Sequence, residues 1–376
     1  MNRVVSCVGT ILALAALLAC CKPQRGDSAS APTSRGKQLI EHAKWLSIEQ
    51  LPDYTKVDIV NPWDSTAVLG RYVLVHRGEQ PDSLPQGYLR LEVPLERSIV
   101  YSSVHTGVLS ELDALASLAG VADGGYIKNV RVADLIAGGA VADVGSSSAP
   151  SLEKIAALQP DAILLSPFEN AGHGALDALG IPLVECADYM ESTPLGRAEW
   201  IKLFGALYDR QAEADSVFRI VKHTYNELSQ AAAECKEHPV VLTERLSGGY
   251  WFVPGGESYM ARIIEDAGGR YPWRANKSAG SLQLDFSAVY AHAADADVWL
   301  IRTYGDDLTL EGLRSEYPLN SQFKAYKHRR VYVADTSRVP LFDEFPFHPE
   351  RLLAEYAAIF HGENRFGGLR YYKKIN

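Results

Sequence analysis

His105, Glu169 and His173 are side chains suited to acid–base work or metal ligation, and each sits in a short loop after an apolar run. The loops are "SSVHTG" (102–107) and "SPFENAGHG" (166–174). A bound Zn²⁺ or Mn²⁺ needs three or four converging His, Asp or Glu ligands. The imidazoles on offer are His105, His173 and His348, and no His-rich loop supports them. Nor does the chain carry an HExxH or CxxC motif, a nucleophile elbow or a phosphate-binding loop. Loops rich in aromatic residues are the stronger signal. "CADYMES" offers Tyr189, and "GGYWFVPGG" offers Tyr250, Trp251 and Phe252. "RYPWRANKSAGS" offers Tyr271, Trp273 and Arg274, and "RTYGDD" offers Arg302 and Tyr304. Ser103, Phe168 and Asn170 complete the set from the first two loops. Aromatic faces bury large area at low entropy cost, and Arg adds a planar cation. This chemistry suits binding of a large, flat or partly apolar ligand. No catalytic residue, metal site or cofactor is expected.

The whole-chain numbers agree with a binding role outside the cytoplasm. The 376 residues are 47% hydrophobic, enough for two ordinary cores, and the net charge is −9 with no basic tract. Nucleic acid is therefore an unsuitable partner, since phosphate neutralisation needs clustered cations. Residues 1–19 have Arg3 followed by an apolar run, which reads as a secretory signal too short to span a bilayer. It ends in "LLACCK", where Leu17-Leu18-Ala19-Cys20 resembles a bacterial lipobox with Cys20 as the lipidated residue. Acyl chains would hold the protein on a membrane surface without crossing it. Residues 20–36, rich in Ser, Ala, Pro and Gly, read as the flexible tether. Cys186 and Cys235 are too few for a disulfide framework, although they could pair with each other.

The elements that must position the loops change character along the chain. Residues 37–97 contain "KVDIV", "RYVLVHR" and "LRLEVPL" punctuated by Pro and Gly, a small antiparallel β extension. Strands and helices then alternate over 98–189: "SIVYSS", a helix over "GVLSELDALASLAG", "VADVG", "SLEKIAAL", "DAILLS" and "IPLVEC". Such alternation predicts a parallel sheet. Residues 190–236 are helical, with Thr193 as cap, Pro194 in the first turn and a break near 208–210. The α/β pattern restarts over 237–376. The expected fold class is α/β, with two Rossmann-like lobes joined by a long helical spine behind a small N-terminal β extension. Arg197 in "PLGRAEW" could face ligand, but pairing with Glu191 or Glu169 to brace the lobe is the favoured expectation, and His348 is expected to start the closing helix. "FDEF" (342–345) reads as a loop able to reach the cleft.

Over roughly Ser98 to Gly362 the sequence resembles a class III solute-binding protein of ABC importers, the family of iron-siderophore, haem and cobalamin binders. The resemblance rests on "VGSSSAPSLEKIAALQPDAILLS", "SYMARIIEDAGGRYPW" and "SLQLDFSAVYAHAADADVWLI", in that order around one long helix. The segment before Ser98 is similar to an extension seen in Bacteroidetes homologues. The resemblance implies a ligand cleft between the lobes, little hinge motion, and a monomer. It implies as partners a metal chelate and a membrane-embedded permease with its ATPase, docked through one glutamate per lobe, Glu153 in "SLEKI" and Glu265 in "SYMARIIEDAGG". The function so implied is capture and delivery of an iron chelate, a ferric siderophore or haem. The alternatives are a cobalamin carrier, a Zn²⁺ or Mn²⁺ carrier, and a chelatase-like enzyme, since tetrapyrrole chelatases share a related two-lobed fold.

Overall fold

A computed structural model describes residues 36–170 and 172–376. The signal, Cys20 and most of the tether lie outside the described residues. The N-terminal sheet runs β1 (Lys37–Gln38), β2 (Leu46–Gln50), β3 (Thr55–Val60), β4 (Val68–His76) and β5 (Leu89–Val93) in chain order. It is antiparallel as far as β4, but β5 returns parallel to β4. Its inward residues, among them Ile48, Ile59, Leu74 and Leu91, share one core with the first lobe and the helical connector. Tyr72 on β4 donates its hydroxyl to the carbonyl of Leu183 at 2.9 Å, which ties this sheet to an edge of the next.

The first lobe contains β6 (Ser98–Val100), α1 (Ser103–Glu111), β7 (Leu118–Val121), α2 (Val130–Ala137) and β8 (Ala142–Asp143). A small hairpin of β9 (Gly145–Ser146) and β10 (Ala149–Pro150), α3 (Leu152–Leu158), β11 (Ala162–Leu165) and β12 (Leu183–Glu185) complete it. The sheet is parallel, in the order β12-β11-β6-β7-β8. The helix expected as far as Gly120 stops sooner. Asp113 takes a left-handed conformation (φ 53°) and a 3₁₀ turn over 115–117 leads into β7. Leu118 satisfies helical spacing, but buried sheet pairing with Ser98 claims it instead.

The connector is α4 (Pro194–Ala198), α5 (Ile201–Tyr208) and α6 (Gln211–Ala233). The Thr193 hydroxyl accepts from the Gly196 N–H, and Asp209 at φ 55° ends α5. At 23 residues, α6 is about 34 Å long. The second lobe follows as β13 (Val241–Thr243), β14 (Leu246–Ser247), β15 (Tyr250–Pro254), α7 (Tyr259–Asp266), β16 (Ser281–Leu284), α8 (Phe286–Ala293) and β17 (Val298–Thr303). Then come α9 (Leu310–Glu316), α10 (Lys324–Lys327), β18 (Val331–Asp335), α11 (Leu341–Glu344), α12 (Pro349–His361), α13 (Glu363–Phe366) and β19 (Lys373–Lys374). Strands β13, β17 and β18 are parallel and β19 joins antiparallel. Strands β14, β15 and β16 form a separate antiparallel sheet. The chain is thus a mixed α/β protein of two lobes. Among the described residues no helix is long and apolar enough to cross a membrane.

Candidate ligand-binding cleft

In the first-lobe sheet, β6 and β11 are neighbours from which the chain runs outward in opposite directions. A crevice outside the carboxyl ends of strands at such a reversal is where open α/β sheets hold ligands. A cavity of about 780 Å³ lies there. Tyr101 and Ser102 line it after β6, Ser166 and Phe168 after β11, Ser147 and Ser148 from the β9–β10 turn, and His173 from the loop beyond. The buried Tyr101 hydroxyl has no hydrogen-bond partner among the described residues. Burial, helped by the Asp123 carboxylate, pushes its pKa up to about 12, so it remains a neutral donor. His173 hydrogen-bonds Glu185 at 2.6 Å, and that bond raises its pKa.

The loop residues expected here divide. Phe168 is 69% exposed, a free ring at the cavity rim, with Glu169 and Asn170 exposed beside it. Asn170 adopts φ 55°, which turns the loop back on itself. Tyr189 instead donates to the Pro167 carbonyl at 2.5 Å and braces this loop from behind. The Ser103 hydroxyl donates to Asp343 of the second lobe at 2.7 Å. His105 is no cleft residue. It is 1% exposed, lies between the Phe204 and Phe347 rings, and bonds Asp188 at 2.9 Å. Asp188 also accepts from Arg197, which stacks over Tyr259 and Phe345 of the second lobe. Arg197 is thus a structural residue, but its partner is Asp188 rather than Glu191 or Glu169, and it reaches the second lobe instead of bracing one lobe alone. Burial acts to raise the Asp188 pKa, but the hydrogen bonds and electrostatics of His105 and then Arg197 hold it below the usual value. His105, Glu169 and His173 do not converge, and the described residues contain no group of three or more metal-ligating side chains.

The second lobe corrects the aromatic assignments most. Trp251 is fully buried, stacks on Trp299 at 5.6 Å and donates its indole N–H to the Thr243 carbonyl. The segment read as a loop is strand β15, whose burial alternates so that Tyr250 and Phe252 face out while Trp251 and Val253 face in. Tyr271 and Trp273 are buried too, and Tyr271 donates to the Pro254 carbonyl. Arg274 is bound to Glu265 at 2.5 Å. Arg302 pairs with Glu244, a residue held at φ 62°, and stacks over Phe342. Tyr304 is 62% exposed. "FDEF" forms α11, not a loop, and packs on α1 through Asp343. His348 precedes α12 as expected, but also links to the first lobe through Glu111 at 2.8 Å. Sequence reasoning missed Tyr101, Ser147, Ser148 and Ser166. Their signal was position alone, just past the carboxyl ends of strands.

The comparisons agree with this architecture. A family model described as "Periplasmic binding protein" matches residues 99–337. An uncharacterized lipoprotein of Methanocaldococcus jannaschii is 28% identical over 320 residues, which cover 78% of this chain and 76% of that one. An ABC transporter substrate-binding protein from Listeria monocytogenes aligns with a TM-score of 0.56 at 21% identity, over 71% of this chain and 99% of that chain. A periplasmic heme-binding protein from Pseudomonas aeruginosa aligns with a TM-score of 0.58 at 17% identity, over 75% of this chain and 98% of that chain. With the match spanning strands from both lobes and the connector between them, the chain belongs to the periplasmic binding protein family.

Proposed function

We propose that this protein is the extracytoplasmic capture subunit of an ABC importer, lipid-anchored through Cys20, and that its cargo is an iron chelate such as a ferric siderophore or haem. The observation that carries the reading is the cavity of about 780 Å³ at the strand-order reversal, with a free Phe168 ring and an unpartnered Tyr101 hydroxyl on its wall. A site of that size, apolar in bulk with a few placed polar groups, suits a compact organic ligand. In this reading no bond is made or broken. Phe168 packs against the ligand, and Asn170, Tyr101 and the serine hydroxyls supply hydrogen bonds. Arg302, Tyr304, Tyr250 and Phe252 of the second lobe, none of which lines the cavity itself, would meet the part of the ligand that extends beyond it.

Delivery then requires a permease to recognise both lobes. Glu153 is exposed in the first turn of α3, where complementary basic residues could reach it. Glu265 is held by Arg274, so docking there exchanges one cation for another. The test is calorimetric titration of the detergent-solubilised full chain with haemin, ferric siderophores, cyanocobalamin and Zn²⁺. Submicromolar binding of one chelate, weakened at least tenfold by Phe168→Ala, is expected. Binding of Zn²⁺ alone would sink the proposal.

A further inference from the structure

The charge around the cleft says more than its shape. The Ser103–Asp343 bond sets α11 against the start of α1. Arg302 at the end of β17 stacks on Phe342 at 5.6 Å, so the carboxyl ends of the second-lobe strands meet that same junction. Three guanidinium groups stand there, and each is already neutralised. Arg302 binds Glu244 through Nε at 2.6 Å. Arg245 binds Asp306 at 2.5 Å and also Glu316. Arg338 binds Asp307 at 2.6 Å and Asp335 at 3.1 Å. Three guanidinium groups thus face five carboxylates, with Lys373 also within electrostatic reach of Asp307.

In the first lobe the cations stand beside the cavity rather than on its wall, as Lys154 does where it donates to the Asp143 carbonyl at 2.9 Å. Among the described residues, the cavity lining contains no Lys or Arg. Asp123 and Asp143 are fixed beside it by the N–H groups of Ser147 and Gly145. His173 is countered by Glu185 at 2.6 Å, with Asp177 also within electrostatic reach. Lys128 lies within reach of Asp343. An anionic ligand entering here must either pull an Arg from its carboxylate, leaving that carboxylate unpaired, or accept repulsion. Both are costly at the Arg302–Glu244 pair, which is mostly shielded from water, and less so at the exposed Arg338–Asp307 pair.

Resting on the proposed capture of a chelate, we infer that this cleft selects chelates of neutral or positive net charge and rejects polyanionic ones. A ferric tris-hydroxamate fits, since its ligand charges cancel those of the ferric ion, and one bearing a free ammonium fits better. This narrows the cargo proposed above, since a ferric tris-catecholate, or haem with its two carboxylates, does not fit.

The test is calorimetry on the detergent-solubilised full chain with ferrichrome, ferrioxamine B, cyanocobalamin, ferric enterobactin and haemin as probes. A neutral or cationic probe should bind at least about tenfold more tightly than either anionic one. Added salt should weaken ferrioxamine B and leave neutral probes unmoved, because only a charged ligand feels screening. Glu244→Gln combined with Asp306→Asn should narrow the gap about tenfold or more by freeing Arg302 and half-freeing Arg245. Tightest binding by enterobactin or haemin overturns this inference and leaves the capture function standing. Binding by none of the probes overturns both.

Discussion

His348 is the clearest place where the junction between the lobes can be tested by pH. Its Nε2 meets Glu111 of α1 at 2.8 Å and its Nδ1 meets Glu350 of α12 at 3.0 Å, with the side chain only 11% exposed. Burial disfavours the imidazolium, but the two carboxylates outweigh it and raise the pKa from 6.5 to about 9. Two and a half pKa units at 1.36 kcal/mol each give on the order of 3 kcal/mol of pH-dependent stability. The sign follows from the raised value. The contribution is fully present below about pH 6.5, where the unfolded chain is protonated too, and is lost as pH rises through about 9. His348→Gln keeps hydrogen-bonding capacity but cannot carry the charge. Thermal melts of both proteins should differ by about 5 °C near pH 6, and the gap should close by roughly pH 9.5. Any constant part of the gap is packing. A gap of the same size at both pH values would refute the assignment of His348 as a charged clasp between lobes.

Trp251→Ala should cost about 3–5 kcal/mol in denaturant melts, as expected for a fully buried indole. Phe168→Ala should change stability by less than about 0.5 kcal/mol, because its ring is 69% exposed, so any loss of ligand affinity there is a site effect. Glu199→Gln should cost about 2 kcal/mol and speed amide exchange at residues 41–43, whose N–H groups all donate to this buried carboxylate. Glu185→Gln should lower the His173 pKa, read by NMR, since the Glu185 hydrogen bond is the main influence raising it.

Most of the frame was legible because hydrophobic pattern is local. "DAILLS", "DVWLIRT" and "RVYVAD" are continuous apolar runs, and they form β11, β17 and β18. The failures came where a residue's fate depends on a distant partner. Leu118 fits both a helix face and a strand, and only pairing with Ser98 decides. Trp251 sits in a segment flanked by glycine pairs, which read as a loop, although the run of aromatic and β-branched residues from Tyr250 to Val253 already carried a strand signal. Tyr250 and Phe252, expected at the cleft with Trp251, are exposed on the strand, whereas Trp251 between them faces Trp299. The loop after β11 was found from its position behind a buried strand. Tyr101 was overlooked because nothing in "SIVYSS" separates a cavity hydroxyl from a strand end.

The cores also show where motion between the lobes must be absorbed. Ala214, Phe218 and Val221 of α6 pack with the first lobe and the N-terminal sheet, whereas Tyr225 and Ala232 pack with the second lobe. The N-terminal sheet cannot move independently of the connector, because Glu191 and Glu199 are buried and hold the N–H groups of residues 41–45. Pulling that segment away would strand two buried carboxylates, at several kcal/mol each. The first lobe, the N-terminal sheet and the first half of α6 therefore form one body, and the second lobe with the second half of α6 forms the other. The boundary falls between Val221 and Tyr225, inside an unbroken helix with no proline or glycine. A helix of that kind bends gently rather than hinges. On the proposed reading, ligand capture therefore relies on side chains already close to their bound positions, so that the fixed charge of the cleft, rather than a large closing motion, would decide what enters.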